Sequence, residues 1–154
     1  MRIRLIDIDS KIPNLALMQL SAYHKSIGDE VGFDITNPDR VYISCIFSKN
    51  AGNARGVSTM YPDSEVIMGG SGIDIHSKIP EPAQKIKPDY TLYPNSDSDL
   101  GFTTRGCIRK CSFCVVPEKE GKIHRWQHIS EFHQEGHKKV TLLDNNITAD
   151  KDWF

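Results

Sequence analysis

Three of the chain's four cysteines fall within eight residues, in the run Gly106-Cys107-Ile108-Arg109-Lys110-Cys111-Ser112-Phe113-Cys114. A stretch this short can bend three thiolates onto one face of a metal ion or cluster. It cannot pair them all as disulfides, because their number is odd. An iron–sulfur cubane takes one thiolate per iron, so three cysteines leave one iron without a protein ligand. That iron would be open to a small molecule, much as catalytic zinc sites keep an open position.

The spacing C-x-x-x-C-x-x-C, with Phe113 just before the last cysteine, resembles the signature of the radical S-adenosylmethionine superfamily. Thr104-Arg105-Gly106-Cys107 and Cys114-Val115-Val116-Pro117 look like the flanks found in its methylthiotransferase and cobalamin-associated branches. The resemblance implies that Cys107, Cys111 and Cys114 hold a 4Fe–4S cluster whose fourth iron S-adenosylmethionine chelates. It implies Phe113 beside the adenine, and reductive cleavage to a 5′-deoxyadenosyl radical driven by an electron donor such as flavodoxin or ferredoxin.

Two other readings of the same residues stand beside this one. A structural zinc site wants four ligands, and His124, His128, His133 or His137 would supply the fourth. Both pairs, His124/His128 and His133/His137, have the spacing of a shared helix face. Alternatively, the cysteines bind nothing and the chain is an inert doubly wound domain. Cys45 stands apart in the apolar run Val41–Phe47, where a free cysteine behaves as a small buried hydrophobe. The basic residues near the loop, Arg105, Arg109, Lys110, Lys119, Lys122 and Arg125, would offset the charge of an anionic cluster; individually they read as solvated surface.

A chain of 154 residues with net charge −1 fits one domain, or one domain plus part of another, and has no electrostatic case for nucleic acid or membrane. No apolar stretch is long enough to span a bilayer, and no signal-peptide pattern opens the chain. The expected location is the reducing cytoplasm, which suits clustered thiols.

Along the chain, Ile3–Ile8 alternates as a strand, and Pro13-Asn14 opens a helix capped by Asn14 and stopped by Gly28. Val31–Ile35 is a weaker strand. Val41–Phe47 is apolar enough to be buried on both faces. Ser48–Tyr61 reads as a crossover helix, Glu65–Met68 as a fourth strand and Tyr90–Tyr93 as a fifth. Alternating strands and helices predict an α/β fold with a doubly wound, flavodoxin-like parallel sheet. Ligands of such sheets lie at the carboxyl ends of the strands, where Gly69 and Gly70 are candidate backbone contacts.

Residues 1–95, with Ile12–Met18 and Gly69-Gly70, are similar at fold level to the cobalamin-binding-like domain that precedes the radical barrel in many of these enzymes. The cobalt-ligating motif D-x-H-x-x-G does not occur, and since some members of the family bind cobalamin without it, the resemblance leaves cobalamin possible but unsupported; the additional cysteines of methylthiotransferase N-terminal domains are missing, which counts against methylthiolation. Asn95–Asp99 reads as a polar linker. Residues 96–154 then resemble the first βαβ part of the radical barrel: a strand at Gly101–Arg105, a helix from Ile129 to near Gly136, and a strand at Lys139–Asp144. By the same resemblance, Asp144 and Asn145 contact the amino group of S-adenosylmethionine. Most of the barrel is absent, so the expectation is an N-terminal portion of a longer enzyme, completed by a missing C-terminal barrel or a partner chain.

Overall fold

The computed structural model describes residues 1–150. The chain divides into two compact units, Met1–Ser96 and Asp97–Phe154; the last four residues of the second lie outside the described part.

The first unit is built on a four-stranded, wholly parallel sheet of order β2-β1-β3-β4, with β1 at Arg2–Asp7, β2 at Glu30–Gly32, β3 at Arg40–Ser44 and β4 at Glu65–Gly69. Helix α1 (Leu15–Ser26) starts because the Asn14 side chain accepts the Leu17 N–H, and it ends where Gly28 turns the chain at φ +87°. The register pairs Leu5 with Tyr42 and Ile6 with Ile43, so alternate residues of β1 and β3 face opposite sides. On one side Ile3, Leu5 and Tyr42 pack with Leu17 and Leu20 of α1. On the other, Val41, Ile43 and Cys45 pack with Ala54 of α2 (Ala51–Ser58). Both faces of β3 are covered, which suits the apolar Val41, Tyr42 and Ile43, but the strand ends at Ser44, and Ile46 and Phe47 of the expected run are exposed.

The expected crossover helix Ser48–Tyr61 is shorter: Ser48–Asn50 forms a 3₁₀ turn that leads into α2, and Gly52 and Gly56 weaken the remainder. Nor is Tyr90–Tyr93 a strand. The Asp89 carboxylate accepts the Thr91 N–H at 3.0 Å and curls Tyr90–Leu92 into a 3₁₀ turn.

The second unit has a two-stranded parallel pair, β5 (Ser98–Gly101) with β8 (Lys139–Leu142), and a short antiparallel pair, β6 (Thr104–Arg105) with β7 (His124–Arg125). The strand expected at Gly101–Arg105 is thus split and begins three residues earlier, inside the polar run 95–99. Asp99 can enter a strand because its buried carboxylate accepts from His133 Nδ1 at 2.6 Å, His137 Nδ1 at 2.9 Å and the Gln134 N–H at 3.0 Å. Helix α4 covers only Ile129–Phe132, closed at its start by a reciprocal His128–Glu131 capping box. Gly101 admits the Phe132 ring, whose nearest atom would lie 2.8 Å from a Cβ there. Among the described residues, no helix is long and apolar enough to cross a membrane.

Candidate metal centre

The cysteine-bearing segment leaves β6 at Arg105 and returns to β7 at His124, with one short helix, α3 (Val116–Lys119), on its return limb. Cys107 and Cys114 are half-buried, Cys111 is exposed, and none is in a disulfide. The turn is set by the Cys114 N–H, which donates to the Cys111 carbonyl at 3.0 Å. Cys107 Sγ accepts from the Arg109 N–H at 3.4 Å and from Asn146 Nδ2 at 3.5 Å. The Arg109 N–H, and after it the Asn146 amide, hold this thiol below its ordinary pKa, favouring the thiolate that binds metal. Phe113 is 92% exposed beside Cys114.

Three unpaired thiols on one arc, one of them already biased toward thiolate, are a donor set suited to a thiophilic metal or an iron–sulfur cluster. Among the described residues, no three His, Cys, Asp or Glu side chains are grouped to hold a metal ion.

The four histidines weighed as a fourth ligand do not share helix faces. His124 lies in β7 with Nδ1 against the Lys122 carbonyl, and His128 caps α4. His133 and His137 turn to Asp99 from outside the helix. Their i, i+4 spacing is an accident of short turns, because α4 is only four residues long.

Asp144 follows β8 and reaches back to the start of the cysteine segment. Its Oδ1 accepts the Thr104 N–H, the Thr104 hydroxyl at 2.6 Å and the Thr103 hydroxyl at 2.8 Å, while Oδ2 accepts the Thr103 N–H at 3.0 Å. With four donors, Asp144 pins the entry to the loop. Asn145 is exposed, and it is its neighbour Asn146 that touches Cys107. The sequence marks Thr104 only as part of the Thr104–Cys107 flank and gives Thr103 and Asn146 no role at this site. The signal for the threonines was the Thr-Thr pair placed just before Arg105-Gly106.

In the first unit, the Gly69–Gly72 turn is packed against its own sheet. Gly70 has φ +98°, and a Cβ there would lie 2.3 Å from the Cys45 carbonyl oxygen; one at Gly72 would lie 2.7 Å from the Phe47 backbone. The Gly72 N–H is bonded to the Cys45 carbonyl at 3.0 Å. These glycines answer to close backbone approach. Nearby, Asp9 accepts from the Ile46 and Phe47 N–H groups and from Asn50. Burial pushes its carboxyl up, but these donors outweigh it and hold the pKa below the usual value.

Comparison with known proteins finds distant, partial similarity. A CDK5RAP1-like protein from Caenorhabditis elegans is 27% identical over 92 residues, 54% of this chain and 16% of that protein. The tRNA-2-methylthio-N(6)-dimethylallyladenosine synthase of a Sulfurihydrogenibium species is 28% identical over 92 residues, 55% of this chain and 21% of its own. The synthase of the same name from Buchnera aphidicola is 33% identical over 76 residues, 42% of this chain and 18% of its own. The matched stretch therefore spans no more than about a fifth of these relatives' length. No family model matches the chain, and no solved structure does.

Proposed function

We propose that this chain is a radical S-adenosylmethionine iron–sulfur protein, or the N-terminal portion of one. The reading is carried by the three free thiols Cys107, Cys111 and Cys114 on one anchored arc, and the distant similarity to tRNA-2-methylthio-N(6)-dimethylallyladenosine synthases supports it. When bound, such a cluster would supply the one electron that cleaves S-adenosylmethionine at its sulfonium, releasing methionine and leaving a 5′-deoxyadenosyl radical. The chain's own contribution is positional. Cys107, Cys111 and Cys114 would hold the cluster, Asn146 and the Arg109 N–H donate to the Cys107 sulfur, and the exposed Phe113 ring would offer a face to the adenine. Asp144 holds Thr103 and Thr104, and through them the loop entry. The exposed Arg109, Lys110 and Lys122 suit an acidic electron donor of the flavodoxin or ferredoxin kind in the cytoplasm.

The first unit would be a cobalamin-binding-like domain in architecture alone. Cobalamin is no part of the proposal, because no stretch of the chain matches the cobalt-ligating motif.

The test is anaerobic reconstitution with iron and sulfide, followed by EPR of the reduced protein with and without S-adenosylmethionine. A 4Fe–4S signal that changes on adding S-adenosylmethionine is the expected result, and each of Cys107→Ala, Cys111→Ala and Cys114→Ala abolishes it. One tightly held zinc per chain and no cluster would overturn the reading.

A further inference from the structure

Arg105 is the residue just before the thiol-bearing arc, and three separate features converge on it. Its guanidinium meets Glu120 through two parallel bonds, Nε to Oε2 and Nη2 to Oε1, each 2.6 Å. Its charge lies 4.2 Å from the centre of the Phe102 ring and 5.4 Å from that of Trp126. Glu120 is 10% exposed and Arg105 25%. A fork-to-fork pair shielded in this way is directional and less screened than a surface ion pair.

The backbone on either side closes too. Gly106 has φ +79° and sits so tightly on the returning limb that a Cβ would fall 2.4 Å from the Lys122 carbonyl oxygen. The Cys107 N–H donates to the Gly121 carbonyl at 3.3 Å. Residues 105 and 120 are thus the two posts of a closed loop, and the cysteines lie between them.

We infer that Arg105 is a positioning residue for the loop that carries the three thiols: clamped on Glu120 beside Phe102 and Trp126, it closes the base of the 107–121 loop before metal arrives, so that ligation has only the thiols themselves left to gather. The inference rests on the proposed cluster site, but its mechanical half can be read without a cluster. Closing the loop in advance removes an ordering cost that would otherwise oppose ligation. A lysine cannot replace the arginine, because it has charge but no fork.

The experiment compares the whole chain with Arg105→Lys and Glu120→Gln, the second keeping one of the two bonds. Amide exchange across 107–121 is measured by mass spectrometry on the metal-free protein, and iron retained per chain is measured after reconstitution and gel filtration. Expected are exchange about tenfold faster and iron loss accelerated to a similar degree in Arg105→Lys, with Glu120→Gln intermediate and the exchange of β5 and β8 unchanged. Unaltered loop exchange, or faster exchange with iron retention equal to wild type, overturns the inference. Loss of protection in β5 and β8 as well would show a general folding role and overturn it equally. If the wild-type chain takes up no iron, the reading of the site fails, and the exchange data alone decide whether Arg105 closes the loop.

Discussion

Residues 1–96 bury Ile3, Leu5, Val41 and Ile43 between two helices, whereas among the described residues of the second unit the buried large apolar side chains are Leu100 and Phe132. In place of a broad core, the second unit closes around carboxylates. Asp99 gathers His133, His137 and the Gln134 N–H; Asp144 gathers Thr103 and Thr104; Glu120 holds Arg105. Dispersion and water exclusion act without direction, so the first arrangement tolerates adjustment. Hydrogen bonds to carboxylates fix angles and distances, so the second arrangement is directional.

Truncations should differ in kind between the two units. Ile43→Ala removes a side chain buried on the α2 side of β3, and its cost should be about 3 kcal/mol in urea unfolding followed by circular dichroism. A cost below about 1 kcal/mol would break the comparison by showing that the sheet is loosely packed. Next in size, Asp144→Ala leaves the Thr103 and Thr104 N–H groups without their acceptor. About 2 kcal/mol should be lost from the second unit, read by tryptophan fluorescence.

Asp99 sharpens the contrast through pH. Burial pushes its carboxyl up, but His133, the Gln134 N–H and His137 together hold it below its usual value. A carboxyl depressed in the folded state contributes stability that is complete above the unfolded pKa, about 3.9. That stability is lost as pH falls through the lower folded value. Asp99→Asn should therefore cost about 1 kcal/mol at pH 7 and flatten the acid limb of the tryptophan fluorescence below about pH 4. An unchanged acid limb would assign that limb to other carboxylates. The smallest effect is expected for Lys139→Ala, which breaks the exposed pair with Asp97. A thermal scan should show a change below about 0.5 kcal/mol.

The same difference governs what could be read beforehand. β1, β3, β4 and the Asn14-capped helix follow from local apolar patterning and local capping, both contained in windows of a dozen residues. The three cysteines were equally plain. β5 was hidden in an apparent linker because the groups that satisfy Asp99 lie 34 to 38 residues further on. Tyr90–Leu92 looked like a strand because its alternation is real, yet one Asp89 bond decides otherwise. Asn146 and Glu120 were overlooked for the reason that hid β5: each acts on a partner 39 or 15 residues away.

The parallel pairing of β5 with β8 also has a consequence for synthesis. The chain is made from its amino end, and Asp144, which pins Thr103 and Thr104, lies 30 residues beyond Cys114. At roughly 5–20 residues per second, all three thiols are translated about 2–6 s before the residue that anchors their loop. During that interval the nascent arc carries three nucleophiles without its lock, so oxidation or capture by a passing metal is a hazard of birth.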